Sequence, residues 1–441
     1  MINLKLKDIA ISQTGPFGSQ LHESDYVEIG TPIVTVEHLG ETGFSHQNLP
    51  LVSDTDKVRL SKYLLKEGDI VFSRVGSVDR NTYVSKSEDG WLFSGRCIRV
   101  RVDKMKADPK FISFYFRQRT FKEMMLNISV GATMPSLNTS LMDNIPLRLP
   151  ELETQQKIAK VLSDLDAKIE LNNRMNAELE AMAKLVYEYW FVQFEFPVVS
   201  LSGVEGYKSS GGKMVWNEEL KREIPEGWRS GNIMEIADFY GGGTPKTNVL
   251  EYWNGEYCFY TPADYEESIF SIITKEKITE KGLENCSSKL FKKGTIFITA
   301  RGSVGKINIA SEPIAMNQSC YALFGKRELG YPFVFQHIAE LVNYIKAKAS
   351  GSIFNALVTN DFKFTKLPIP PDNLIEAYNE KALGLFEKIL ANKKQNQQLS
   401  TLRDWLLPML MNGQISVAEA EDRVEEELGM VAEGRESYKK E

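Results

Sequence analysis

The chain is written twice. "KEGDIVFSRVGSV" at 66–78 lies over "KKGTIFITARGSV" at 292–304 without a gap, pairing Gly68 with Gly294, Ile70 with Ile296, Gly76 with Gly302 and Ser77 with Ser303 at an offset of 226. The offset drifts slowly elsewhere: 227 for "IA" at 9 and 236, 225 for "GTPIVTV" at 30 and "GEYCFYT" at 255, 223 for Cys97 and Cys320, and 222 for "IPL" at 145 and "LPI" at 367. Loop insertions in a duplicated plan produce such a drift, so the fold must be built as two related halves.

Each half has two parts. Runs such as "PIVTV", "DIVFSRV", "CIRVRV", "CFYT", "TIFITA" and "CYALF" are β-branched or aromatic and end at turn-forming residues, which predicts short strands. "PKFISFYFRQRTFKEMML" and "YPFVFQHIAELVNYIKAKA" follow in matching places and read as helices, giving an α+β domain built twice. The second part is a long helix. Over 152–193, Ile158, Leu162, Leu165, Ile169, Asn172, Asn176, Leu179, Ala183, Val186 and Trp190 recur in steps of four and three, a coiled-coil seam. Adding 220 gives Tyr378, Ala382, Leu385, Ile389, Asn392, Asn396, Leu399, Arg403, Leu406 and Leu410, the same register apart from Arg403.

Buried seam asparagines cost stability unless hydrogen-bonded and commonly fix register. Two readings stand: Asn172 and Asn176 face Asn392 and Asn396, or the four face solvent or another chain. Pro150 and Pro370-Pro371 precede the two helices, Asp372 is placed to cap the second, Pro197 ends the first and Gly413 follows the second. Pro408 and Gly384 lie inside the second, predicting a kink or fraying near Trp405 to Met409. About 40 helical residues make a rod of about 60 Å. The Gly- and Ser-rich stretch at 200–213 reads as a flexible linker or exposed loop, and the acidic end after 415 as a helical or frayed extension.

A chain of 441 residues, 42% hydrophobic, has room for about three packed domains. It holds no stretch of roughly 20 apolar residues, which predicts no membrane span and a cytoplasmic protein. Cys97, Cys258, Cys286 and Cys320 show no C-x-x-C spacing and the four histidines do not cluster near them, so neither structural zinc nor a disulfide framework is expected. The net charge of −6 hides its distribution. Residues 1–150 carry 19 Lys+Arg against 17 Asp+Glu and 224–371 carry 16 against 15, whereas 151–196 carry 5 against 9 and 416–441 carry 4 against 9. Two nearly neutral domains permit contact with DNA through local patches but predict weak binding by this chain alone.

"GTIFITARGSVGK" ends like a phosphate-binding loop, but Ala300 stands where the first glycine belongs and Ile307 where Ser or Thr would hold magnesium. Its plainer reading is a strand entering a tight turn with positive φ at Gly302 and Gly305. There is no base-gripping Pro-Pro-aromatic segment, no dinucleotide fingerprint, no nuclease carboxylate-Lys pattern, no Gly-x-Ser-x-Gly and no His-x-x-x-His. The reading is of a binding protein with no catalytic, metal or cofactor residue of its own.

Further segments carry a resemblance: "TGPFGSQL" (14–21), "GATMPSLNTSLMDNIPLRLPELETQQKIAKVLSDLDAKIELNN" (131–173), "EIPEGW" (223–228), "GGGTPK" (241–246), "GTIFITARGSVGK" (294–306), "NQSC" (317–320) and "LLPMLMNGQI" (406–415). In this order the chain resembles the specificity (S) subunits of type I restriction-modification systems. The resemblance implies two pseudo-repeated target-recognition domains separated by a two-helix antiparallel coiled coil. Its boundaries are domain one at 1–150, a spacer helix at 151–196, a linker at 197–223, domain two at 224–371, a second spacer helix at 372–415 and an acidic tail at 416–441.

Each domain would read one half of an asymmetric bipartite site in double-stranded DNA. The helices would set the gap and seat two methyltransferase (M) subunits beside restriction (R) subunits, with S-adenosylmethionine, ATP and Mg belonging to those partners. The residues expected at the DNA face are Ser19, Arg74, Ser77, Arg80, Asn81 and Arg96 in the first domain. In the second they are Thr244, Lys246, Arg301, Ser303, Lys306, Asn308, Asn317 and Gln318. The seam is carried by Leu165, Ile169, Asn172, Asn176, Leu179, Leu385, Ile389, Asn392, Asn396 and Leu399. The faces near Tyr187 to Phe194 and Trp405 to Leu410 fit either partner docking or internal packing. A structural adaptor that never reads DNA, and the recognition half of a fused methyltransferase-nuclease, are the alternatives; the second lacks its catalytic motifs.

Overall fold

The computed structural model describes residues 1–437 apart from 17, 19, 132–133, 200–204, 208–212, 328 and 349–355. The chain divides into two compact units: Met1–Glu170 with Gln395–Glu441, and Leu171–Lys394.

The first unit is organised by a sheet of β1 (Ala10–Thr14), β2 (Asp69–Ser73), β3 (Asn81–Tyr83) and β4 (Cys97–Val102), antiparallel in the order β1-β4-β2-β3. The second contains β5 (Ala237–Gly241), β6 (Ile296–Thr299), β7 (Ile307–Ala310) and β8 (Cys320–Gly325) in the same order, β5-β8-β6-β7, with Phe270–Ser271 added parallel to β7. Register repeats as well, Ser73 opposite Cys97 and Thr299 opposite Cys320. Strands β2 and β6 are buried along their whole length, which is why they read as continuous apolar runs rather than alternating ones. The expected helix at 109–126 is two, Pro109–Arg117 and Arg119–Ile128, broken at extended Gln118 so that Phe116 and Phe121 lie 4.5 Å apart between ring centroids. Its counterpart, Tyr331–Lys348, is continuous.

The long helices are α1 (Leu152–Tyr187) and α2 (Asp372–Met411). In the first unit, Leu162 and Leu165 share a core with Leu399, Leu406 and Leu410. Burying each contributes about 1.5–3 kcal/mol. Arg403, the one charged residue on the seam, keeps its place by donating to Asp166 Oδ1 at 2.8 Å, while Arg117 holds Asp166 Oδ2 at 3.0 Å. In the second unit, Ala183, Tyr187 and Trp190 pack with Tyr378, Ala382, Phe386 and Ile389. Asn392 Nδ2 donates to Asn176 Oδ1 at 2.9 Å, and Tyr378 Oη to the Ala183 carbonyl at 3.2 Å, so partner numbers fall as α1 advances and the pairing is antiparallel. Asn172 and Asn392 are buried almost completely, and Asn176 also donates to the Ile389 carbonyl at 3.4 Å. Of the two readings of the seam amides, the structure supports mutual pairing for Asn176 and Asn392.

Helix ends differ from expectation in three places. Helix α1 passes into a π-helical turn, Glu188–Val192, which turns both Trp190 and Phe191 into the core, ahead of Pro197. Asp372 is the first residue of α2 rather than its cap, where a carboxylate suits the positive end of the helix dipole. Pro408 does not end α2, which runs on to Met411 before Gly413 closes it at φ +68. The acidic tail is a third helix, α3 (Val417–Ser437), seated by fully buried Ala420 with Val417, Val424 and Leu428 against the first unit's core. Most of the stretch at 200–213 lies outside the described residues; Glu205–Tyr207 within it pairs as a strand with Pro197–Val199. Tyr187, Trp190, Phe191, Phe194, Leu406 and Leu410 are buried, so internal packing accounts for these six, while Tyr189 is exposed and Trp405 half-buried.

Two predictions follow from these cores. Asn392→Leu leaves the Asn176 amide buried without its partner and should cost about 1–3 kcal/mol in denaturant unfolding, whereas the double change Asn176→Leu/Asn392→Leu should recover most of that loss. His337, buried with Nδ1 2.9 Å from Tyr187 Oη, is pushed by burial down to about 4. An unfolded histidine takes up its proton near 6.5, so the stability it contributes is fully present above that pH and is lost as pH falls toward 4. Thermal melts of the His337→Gln variant should therefore lack part of the wild-type decline between pH 6.5 and 4.

Candidate nucleic-acid interface

One end of each sheet carries the residues singled out in the sequence. In the second unit, the pairs Gly241–Tyr321, Thr299–Cys320 and Ile298–Ile307 bring the end of β5, the end of β6 and the starts of β7 and β8 to one edge. The loops 242–246, 300–306 and 317–319 therefore lie together. Ala300 donates its amide to the Ser319 carbonyl at 2.8 Å, and Gly243 to that of Met316 at 3.1 Å. A Cβ on Gly242 would stand 2.1 Å from the Asn317 carbonyl oxygen, so only glycine permits this approach. The first unit repeats the arrangement: Arg74 donates its amide to the Arg96 carbonyl at 2.8 Å and Gly15 to that of Cys97 at 3.1 Å.

The turn that ends "GTIFITARGSVGK" is a β-hairpin connection between β6 and β7, with no helix behind it, which removes the nucleotide-loop reading. Gly302 and Gly305 adopt φ +79 and +73, and Gly76 adopts +77, as the tight-turn reading requires. A side chain on Gly76 or Gly302 would meet nothing, so those glycines serve backbone conformation; at Gly305 a Cβ would strike Val342 and Lys346. Lys346 Nζ donates to the Gly305 carbonyl at 3.1 Å, and Lys306 Nζ sits 4.7 Å from the centre of the Tyr265 ring. Burial, and then the Lys306 cation, hold Lys346 below the usual lysine range. Two ammonium groups thus converge beside an exposed turn, an arrangement that an anion relieves.

The expected residues fall into three groups. Ser77, Arg80, Arg96, Lys246, Arg301, Ser303 and Gln318 are exposed at these loop ends, with Arg74, Thr244, Lys306 and Asn317 half-buried among them. Arg80, Arg96, Lys246, Arg301 and Lys306 form no ion pair among the described residues, in contrast to Arg101, which Asp69 grips at 2.6 Å. Thr244 donates to Gln318 Oε1, Asn317 Oδ1 accepts from the Ser319 amide at 3.0 Å, and Arg74 Nη1 donates to the Gly95 carbonyl at 3.2 Å, so these three also shape the loops. Asn81 and Asn308 are buried strand residues: Asn308 accepts from Tyr260 Oη at 2.8 Å and donates to the Glu266 and Ser268 carbonyls. Their amides hold the fold, and the expectation that they face DNA is set aside. Ser19 lies outside the described residues.

Sequence reading missed Lys346, Tyr265 and the segments at 135–137 and 356–357. Gly76 donates to the Pro135 carbonyl at 2.9 Å, Leu137 to that of Arg74 at 2.8 Å, and in the second unit Leu357 to that of Ala300 at 2.9 Å. The offset of 220 between Leu137 and Leu357 was the signal available.

Residues 3–181 and 225–400 match the family described as type I restriction modification DNA specificity domain. The chain belongs to that family. It is 25% identical over 408 residues to the type I restriction enzyme HindI specificity subunit of Haemophilus influenzae, covering 80% of this chain and 88% of that protein. It is 27% identical over 332 residues to the MjaIX specificity subunit of Methanocaldococcus jannaschii, covering 74% of each. A crystal structure of the type I restriction-modification S subunit from M. genitalium shares the fold, with a TM-score of 0.58 at 16% identity over 93% of this chain and 95% of that one. No cluster of metal-ligating side chains occurs among the described residues.

Within this family assignment, the unpaired cations and the buried amides should separate by experiment. Arg80→Ala with Arg96→Ala should lower the slope of log affinity against log salt by about 1 per residue, with the melting temperature unchanged. Asn308→Leu should instead lower the melting temperature, because it strands the Tyr260 hydroxyl and two carbonyls in the core.

Proposed function

We propose that this specificity subunit reads an asymmetric bipartite sequence in double-stranded DNA, residues 1–150 reading one half and 224–371 the other. The observation that carries the reading is the repetition, on two sheets that share the order of four strands, of a loop end that holds glycine-tightened turns beside cations without carboxylate partners among the described residues. Backbone and cationic groups of this kind position phosphates, and the side chains that differ between the two ends, such as Arg80 against Lys306, give the halves different readouts. Two unlike readers require an asymmetric target, and paired helices are suited to fixing a constant gap between its halves.

In this reading two modification subunits seat on the helices and restriction subunits join them in the cytoplasm. S-adenosylmethionine, ATP and Mg serve those partners, and the chain itself binds none of them. Near-neutral domains accord with this, since the partners would supply much of the phosphate neutralisation. No helix of the described residues is long and apolar enough to cross a membrane.

The test is a genome-wide map of methylated adenines in a host lacking the system, given the modification subunit with and without this chain. A bipartite motif is expected only with the chain, and exchanging residues 224–371 for those of a relative should change one half alone. Co-purification with no motif, and no salt-sensitive DNA binding, would favour an adaptor that never reads DNA.

A further inference from the structure

A fourth loop joins the second recognition end. The segment from Asn285 to Leu290 lies against the glycines at 242–243: a Cβ on Gly243 would stand 2.2 Å from Ser287 Oγ and 2.7 Å from the Ser287 amide nitrogen. Ser288 Oγ accepts from the Met316 amide at 3.0 Å, and the Met316 carbonyl accepts from the Gly243 amide at 3.1 Å, so both loops are fixed to the residue that precedes Asn317. Lys289 follows at once. Its Nζ sits 3.3 Å from the centre of the Tyr240 ring and 5.4 Å from that of Phe291. Tyr240 is the next-to-last residue of β5, and its ring lies 5.9 Å from Phe291, which meets buried Phe297 edge-on. The aromatic surface beneath the ammonium is therefore anchored in the core. At the offset of 226 Tyr63 stands opposite Lys289, and its hydroxyl donates to Gln20 Oε1 at 2.7 Å. The same segment thus meets the first loop in both units, with a tyrosine in one where the other has the lysine.

A lysine over a ring face is common on protein surfaces. What separates this one is its lack of any other partner. Lys281 and Lys293, on either side in the chain, are neutralised by Glu251 and Glu387, each at 3.1 Å. Lys289 is exposed, and its ammonium forms neither an ion pair nor a hydrogen bond among the described residues. A ring attracts an ammonium through its quadrupole and, unlike a carboxylate, occupies none of the three N–H donors. Seating the long side chain on a fixed surface also removes beforehand part of the rotamer freedom that binding would otherwise cost. A positive point charge is left in a set place with its donors open, at an end where Lys246 and Arg301 are exposed as well. Phosphate oxygens ask for such a charge and for no pattern of base edges. We infer that Lys289 is a DNA-backbone contact of the second recognition end, held for a phosphate by the Tyr240 ring as its positioning residue. The inference rests on the proposal that this end reads DNA.

The test uses the full chain with its modification subunit and a duplex carrying the mapped target. The proteins are wild type, Lys289→Gln, Lys289→Arg, Tyr240→Leu and Tyr240→Phe, with a melting temperature for each. Lys289→Gln should lower the slope of log affinity against log salt by about 1 and leave the methylated motif as it is, whereas Lys289→Arg, which keeps the charge, should hold the wild-type slope. Tyr240→Leu should weaken binding without lowering the slope, because the cation remains but is no longer held, and Tyr240→Phe should bind as wild type does. Since Lys289 is exposed, its variants decide the matter even where Tyr240→Leu lowers the melting temperature. A Lys289→Gln protein with wild-type slope and affinity would overturn the inference and leave the DNA-reading proposal intact. So would a motif relaxed in its second half at an unchanged slope, which would make Lys289 a reader of bases. A well-folded Tyr240→Leu protein that binds as tightly as wild type would overturn the positioning role. Absence of any motif with wild type would remove the DNA-reading proposal and the inference together.

Discussion

The pairing of residues far apart in the chain along the α1–α2 seam is the constraint on which the rest depends. Each half of that seam is also part of a globular core: Leu162 and Leu165 join the first unit's aromatic helices with Leu399 and Leu406, and Tyr187 and Trp190 join the second's with Tyr378. The helices are therefore walls of the domains. Polar groups at the seam mark where sliding would be penalised. Asn176 pairs with Asn392 and Asp166 with Arg403, and a shift by a turn would break both contacts and leave the buried Asn176 and Asn392 amides without each other.

The recognition ends follow from duplication acting on a sheet. An antiparallel four-stranded sheet places alternate connections at the same edge, and the duplicated order puts the Gly-Ser turn, the Gly-rich first loop and the loop before β4 or β8 side by side twice. Glycine is demanded there for two separate reasons: positive φ at Gly76 and Gly302, and close backbone approach at Gly242. With the backbone so constrained, side-chain identity is free to differ between the copies, as at Arg80 and Lys306.

Much of this was legible. The gapless match at 66–78 and 292–304 marked the homologous strands, and the seam periodicity marked both helices and put four asparagines on the seam, of which Asn176 and Asn392 pair. What escaped was set by tertiary context. Asn81 and Asn308 look like polar turn residues in sequence, yet they are the first inward positions of strands and lie buried. Pro408 carries a helix-breaking preference, yet α2 continues through it to Met411, in a stretch where Leu406 and Leu410 on either side are buried in the first unit's core. The ties from 135–137 to the Gly-Ser turn join segments about sixty residues apart, and no local pattern announces them.

The tail helix and the end of α2 belong to the unit that begins at Met1, while Leu171–Lys394 is continuous in the chain. During synthesis from the N-terminus the ribosome therefore delivers everything the middle unit needs before it delivers Leu399, Leu406 and Ala420 to the first. The domain made first is the one completed last. Its open core must wait while the middle unit is made, so termination soon after Lys394 yields a chain whose middle unit has all its residues and whose first unit still lacks Leu399, Leu406 and Ala420.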